Sequence, residues 1–360
     1  MAQWFEEKLA MLKALEAYSF SFDPKAVSVR VKLDANENWH IPAHELQRLA
    51  REAVAEFDVR KYPLGIAEEL CIAMGKHLSV PVEAIIPTQG ADQGIDLLCQ
   101  AFLRQTDKAI IVGPTYSFYK LRAALTGAQC IEITLNEDLS LPVDGILNAT
   151  KEGGIVFLCS PNNPTGNQFS LNQVLRLVEA SPTLVVVDEA YVDFAPQTLV
   201  QEVMKHRNLA VLRTFSKAFG LAGLRLGLII AHPDWAAAFS NHIQYPYPVS
   251  GLPAAVALRL LQEFQIVKRG IESLKRERTS LRDRLAKDLG VETPRSDANF
   301  ILANLPIDAS KAHRALLERG IATKKIGPVL NLANCIRITV GTQEMNSAFL
   351  EALGEILSNG

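Results

Sequence analysis

The chain has 360 residues, more than a single hydrophobic core ordinarily organises, so two domains, or a large one with a smaller appendage, are expected. With 48% hydrophobic residues, 21% charged residues and a formal net charge of -2, the composition excludes disorder and gives no reason to expect a nucleic-acid partner. Five dispersed cysteines without a CxxC pair, seven histidines without metal-ligand spacing, and no apolar run of about 18 residues argue against a disulfide scaffold, a metal centre and a membrane span. Residues 1–7 do not read as a signal peptide, so a reducing, cytoplasmic setting is expected.

Taken in chain order, the first informative element opens at Gly90-Ala91-Asp92-Gln93, where Ile95, Leu98, Cys99 and Phe102 share one helical face. The first amides of such a helix are a natural anion cradle. Short apolar, β-branched runs follow at 109–112, 155–159, 184–187 and 210–212, each ending abruptly in polar, glycine or proline residues. They read as strands buried on both faces of a parallel sheet. A helix is expected between them at 172–179, where Val174, Leu175 and Val178 recur at helical spacing. The fold class is therefore α/β, an open, mostly parallel sheet with right-handed crossovers. From about residue 250 the pattern changes to longer helices and then strand-like pieces at 300–303 and 335–340, a smaller α+β unit.

Ligands in such sheets bind beyond the carboxyl ends of the strands, so the residues following each run sample one site. They are Gly113-Pro114-Thr115-Tyr116, then 160–166 (Ser-Pro-Asn-Asn-Pro-Thr-Gly), then Asp188-Glu189-Ala190-Tyr191, then Arg213-Thr214-Phe215-Ser216-Lys217. An aromatic ring, an amide, a carboxylate with a phenol, and a lysine converge on one edge. Lys217 precedes an apolar, glycine-rich stretch with Arg225 eight residues on, a setting that favours a neutral, nucleophilic amine able to hold a cofactor as a Schiff base. Pyridoxal phosphate is an electron sink only while its ring nitrogen stays protonated, and Asp188, closing an apolar strand, suits that nitrogen. Thr214, Ser216 and Arg225 complete a phosphate cup with the helix start at residue 90. Tyr116 is placed to stack on the ring, with Asn163 and Tyr191 at its phenolic oxygen.

These segments resemble the class I/II aminotransferases of fold type I, and among them the histidinol-phosphate aminotransferase group. The likeness runs through Leu33-Asp34-Ala35-Asn36-Glu37-Asn38, Lys61-Tyr62-Pro63, Gly90-Ala91-Asp92, PNNPTG at 161–166, VDEAY at 187–191, TFSKAFGLAGLR at 214–225 and Ile336-Arg337-Ile338-Thr339-Val340-Gly341, in family order over nearly the whole chain. The resemblance implies pyridoxal 5'-phosphate on Lys217, with Asp188, Asn163, Tyr191 and Tyr116 around its ring and Ala91, Asp92, Thr214, Ser216 and Arg225 at its phosphate. It implies that Tyr62 reaches the neighbouring subunit's phosphate, hence a homodimer with shared sites. It implies Asn36 and Arg337 as substrate contacts, small amino and keto acid substrates, an arm with the start of the small domain at 1–40, a large cofactor domain at 41–248 and a small domain at 249–360.

Two positions depart from the group: Gln93 where glutamate is usual, and Ala322-Thr323-Lys324-Lys325 where a valine-arginine pair is usual. A lysine is a point charge and does not reproduce a bidentate arginine. Transamination of histidinol phosphate is the expected activity; threonine-phosphate decarboxylation and aromatic amino acid transamination are the alternatives on the same fold. A transcription regulator built on this fold would carry a helix-turn-helix ahead of it, and no basic recognition helix is visible. No GxGxxG motif supports a nicotinamide enzyme.

Overall fold

The computed structural model describes residues 2–15, 21–23, 27–63 and 65–358. Among them are twelve strands: β1 Val31–Lys32, β2 Ile85–Thr88, β3 Lys108–Gly113, β4 Gln129–Thr134, β5 Gly154–Cys159, β6 Leu184–Asp188, β7 Leu209–Thr214, β8 Gly227–Ala231, β9 Phe300–Asn304, β10 Ile321–Ala322, β11 Lys324–Val329 and β12 Leu332–Thr339. Seven form one sheet in the order β2-β8-β7-β6-β5-β3-β4. From β7 to β4 every pairing is parallel, whereas β8 runs antiparallel to both its neighbours. The apolar runs expected at 109–112, 155–159, 184–187 and 210–212 are the four central strands β3, β5, β6 and β7. In β7 every residue is buried, and in β5 and β6 all but the first, because helices cover both faces.

Two helical faces differ in detail from the expected ones. In the helix Leu171–Ala180 the buried residues are Val174, Leu177 and Val178, with Leu175 only partly covered. In the helix Gly90–Phe102, Ile95, Leu98 and Cys99 are buried, but Phe102 is 40% exposed at the last turn. Its ring sits edge-on to Trp235 at 5.5 Å, a surface aromatic cluster that helical spacing alone does not reveal.

Beyond the large sheet, β11, β12 and β9 form an antiparallel sheet, covered by the helices Gln265–Leu289 and Ala309–Glu318, with Gln343–Ser358 packed on both helices and on β1. The pair β1 and β10 joins the amino-terminal segment to this part. The chain at 33–36 is then laced to β12 by Thr339 N donating to Leu33 O at 2.8 Å and Asn36 N donating to Thr339 Oγ1 at 2.9 Å. Among the described residues no helix is long and apolar enough to cross a membrane.

Gly227 opens β8 opposite Thr214 of β7 and Thr88 of β2. A Cβ there would lie 2.5 Å from Gly90 C and 2.7 Å from Ala91 N, so the missing side chain is what lets the helix start approach the sheet. Gly227→Ala is therefore expected to lower stability by about 1–3 kcal/mol through overpacking against backbone. Gly223→Ala, whose Cβ meets open space, is expected to stay within about 0.5 kcal/mol of wild type. Thermal unfolding of the two variants side by side checks this.

Candidate active site

The carboxyl ends of β3, β5, β6 and β7 face a cleft of about 250 Å³. Its walls include Asn36, Ala91, Asp92, Tyr116, Asn163, Asp188, Tyr191, Thr214, Ser216, Lys217, Arg225 and Arg337. Of the residues expected from sequence, only Tyr62 lies elsewhere; it is 71% exposed and stacked on Tyr247 with ring centroids 4.2 Å apart.

Asp188 closes β6 at the middle of the sheet, in register with Cys159 of β5 and Leu212 of β7. Burial pushes its carboxyl up to about 6, opposed by two donors to the carboxylate: the Tyr119 phenol at 2.6 Å and the Ala190 amide at 3.0 Å. Lys217 follows β7 and is half-buried, its Nζ donating to Ala35 O at 3.0 Å. Desolvation, with the Arg337 guanidinium nearby as the next cause, lowers its amine to about 8. A carboxyl pushed up to about 6 and an amine lowered to about 8 thus share one cleft, both drawn toward neutral pH, an arrangement typical of proton-transfer sites.

At one end, the helix Gly90–Phe102 begins without a side-chain cap, leaving its first amides to the cleft. The Thr214 hydroxyl accepts from Ser216 N at 3.1 Å and lies 3.0 Å from Ser216 Oγ, so both hydroxyls sit at that end. Arg225 Nη2 donates to Asp92 Oδ2 at 2.8 Å, and a Cβ on Gly90 would come within 3.0 Å of the same nitrogen. Hydroxyls, helix-start amides and a guanidinium in a cradle that a Cβ would fill are a donor set suited to a phosphate. Tyr116 reaches Asp92 Oδ1 with its hydroxyl at 3.2 Å, which fixes its ring over the same end.

At the other end, Arg337 on β12 is buried, with Nη1 donating to Asn163 Oδ1 at 2.7 Å and Nη2 donating to Asp34 O. Asn36 is held in a left-handed conformation, φ 55°, which asparagine tolerates. Its Nδ2 donates to the Tyr191 hydroxyl at 3.1 Å, and its carbonyl accepts from Asn299 Nδ2 at 2.9 Å. Tyr191 packs edge-on to Phe300 at 5.1 Å, so residues from both sheets and from the 33–36 segment meet around one substrate-sized space.

Sequence reading missed Tyr119, Glu37 and Cys159, which also line the cleft. Glu37 pairs with Lys32 at 2.7 Å. The one available sequence signal for Tyr119 is its position three residues after Tyr116 at a helix start, which places the two rings on one side. Among the described residues no group of three or more His, Cys, Asp or Glu could hold a metal ion.

Residues 28–353 match the family described as aminotransferase class I and II. The chain is 33% identical over 340 residues to a histidinol-phosphate aminotransferase of Caldanaerobacter subterraneus subsp. tengcongensis, covering 94% of this chain and 96% of that protein. It is 35% identical over 357 residues to histidinol-phosphate aminotransferase 1 of Carboxydothermus hydrogenoformans, covering 99% of each. The crystal structure of histidinol-phosphate aminotransferase from Sinorhizobium meliloti in complex with pyridoxal-5'-phosphate superposes with a TM-score of 0.86 at 25% identity, covering 97% of both chains.

The lowered amine generates a prediction for the protein without cofactor. Acylation of Lys217, followed by peptide mass spectrometry, should rise through about pH 8 rather than at the ordinary lysine range. Arg337→Leu removes a neighbouring cation and should move that midpoint upward.

Proposed function

The chain belongs to the class I and II aminotransferases, and we propose that it transfers the amino group of histidinol phosphate to 2-oxoglutarate, yielding imidazoleacetol phosphate and glutamate in histidine biosynthesis. The relatives named for that substrate match it over nearly their whole length at 33–35% identity. The single observation that carries the chemistry is the meeting of Lys217, Asp188 and Arg337 in one cleft.

Pyridoxal 5'-phosphate, when bound, supplies an aldehyde that takes up the amino group and a protonated ring that draws electrons from the substrate's Cα–H bond. Lys217 would hold its aldehyde carbon. The Asp188 carboxylate would keep the proton on the ring nitrogen by charge pairing. Asn163 and Tyr191 would bond the phenolic oxygen, and Tyr116 would cover the ring face. The phosphate would sit on the helix-start amides of Ala91 and Asp92, the hydroxyls of Thr214 and Ser216, and Arg225.

Arg337 would clamp the anionic end of the substrate beside Asn36, as a planar guanidinium does for phosphate or carboxylate. Lys324, opposite Arg337 in the strand register, brings a second cation to that end and suits a doubly charged group. With substrate in the cleft, the Lys217 amine, lowered to about 8, would be suited to take up and return the Cα proton as general base and acid. Tyr62, exposed within one chain, would reach the phosphate of the neighbouring subunit, which makes the working form a cytoplasmic homodimer with shared sites. The large domain would span 41–248, with 1–40 and 249–360 forming the arm and the small domain around it.

The test is turnover by the loaded enzyme with histidinol phosphate and 2-oxoglutarate, following glutamate and carbon dioxide together. Glutamate without gas is expected, and Lys217→Ala should reduce the rate by about 10³-fold or more. Gas release from threonine phosphate with no glutamate would replace this reading with a decarboxylase.

A further inference from the structure

Tyr119 stands in the turn that opens the helix Phe118–Leu125, its amide donating to Tyr116 O at 3.4 Å. The side chain is wholly buried. Its ring stacks on Phe157 of β5, with centroids 5.2 Å apart and planes 8° apart, and meets the Tyr116 ring edge-on at 5.6 Å. Packed between a strand and the ring-facing tyrosine, the phenol has one orientation, and its proton points at Asp188 Oδ2, 2.6 Å away.

We propose that Tyr119 is a positioning residue: its hydrogen bond holds the Asp188 carboxylate ionised and aimed at the cofactor's ring nitrogen, while its ring sets the angle at which Tyr116 meets the same cofactor. The proposal rests on the placement of Asp188 at that nitrogen, given above.

The groups facing Asp188 decide the case. Burial favours the protonated carboxyl, and Asp92, on the helix Gly90–Phe102, pushes the same way. Lys217, beyond β7, opposes them only while it carries a charge, and that charge is lost as its amine titrates near 8. Cys159 on β5 and Tyr191 are both pushed upward and stay neutral. The Ala190 amide and the Tyr119 phenol remain as donors to the carboxylate. Burial and the Asp188 charge push the Tyr119 phenol well above its ordinary range, so it stays a donor at every working pH. A hydrogen bond to the charged form favours that form, and this one cannot titrate away.

Tyr119→Phe removes only the hydroxyl and keeps the stack on Phe157. In the protein without cofactor, carboxyl carbon NMR of labelled aspartates, with Asp188→Asn identifying the signal, should show Asp188 titrating about one pH unit higher in Tyr119→Phe. The loaded variant should lose the ring-protonated absorbance at a lower pH than wild type and release cofactor about tenfold more readily. Incorporating 3-fluorotyrosine into the wild-type chain leaves every residue in place and makes the phenol a stronger donor, which should move the Asp188 titration downward. An Asp188 titration that moves in neither protein overturns the proposal. If it moves in the cofactor-free protein while the loaded enzyme's spectrum and cofactor retention are unchanged, the charge-holding role of Tyr119 stands and the placement of Asp188 at the ring nitrogen fails instead.

Discussion

A carboxylate at the end of a strand with no solvent on either face is the constraint around which the rest of the molecule is arranged. Asp188 lies between β5 and β7, beneath residues that exclude water, and a lone charge there would simply take up a proton. The neighbouring elements are placed so that it need not. The turn after β6 returns the Ala190 amide, the helix after β3 delivers the Tyr119 phenol, and the loop after β7 brings Lys217 across the cleft. Each depends on a parallel strand ending at the same edge, so the sheet topology is what allows three separate segments to act on one charge.

The second constraint comes from the smaller sheet. Arg337 on β12 stands in register with Lys324 on β11, and two cations opposite one another on half-buried strands repel. Burial and the Arg337 charge together push the Lys324 amine downward, with Asp34 opposing. Asn163 and the Asp34 carbonyl take the Arg337 protons in the absence of substrate. Under the proposed reading, an incoming phosphate or carboxylate relieves that repulsion, so the same feature that disfavours the empty cleft favours the filled one. The 33–36 segment, hydrogen-bonded to β12 and to Lys217, links this end to the cofactor end.

Much of this was legible from residues alone because each buried strand is a short apolar run that stops where its polar motif begins. That is why Asp188, Lys217, Asn163 and Tyr116 were identified together and line the same cleft. What escaped reading has physical reasons. The apolar run of β8 gives no sign that it inserts antiparallel between β2 and β7, because pairing partners lie far away in sequence. The partly exposed β4 and the two-residue strands β1 and β10 carry too little pattern to register. Phe102 obeys helical spacing yet falls at the last turn, where Trp235 offers a surface contact instead of the core. Spacing from Tyr116 marks Tyr119 only as a neighbouring ring and not as the donor to Asp188, since that acceptor is 69 residues away and the bond exists only once β3 and β6 are in one sheet. Tyr62 is exposed and does not line the cleft of its own chain, so the geometry of one chain carries no mark of the role expected for it.

The central claim, that Lys217 holds the cofactor in a site organised by Asp188, is tested most directly by trapping. The loaded protein would be treated with sodium borohydride, digested and analysed by peptide mass spectrometry. The account predicts the reduced cofactor on the peptide containing Lys217 and its absence from Lys217→Ala. Label on a different lysine, or none in a protein that binds the cofactor, would contradict it.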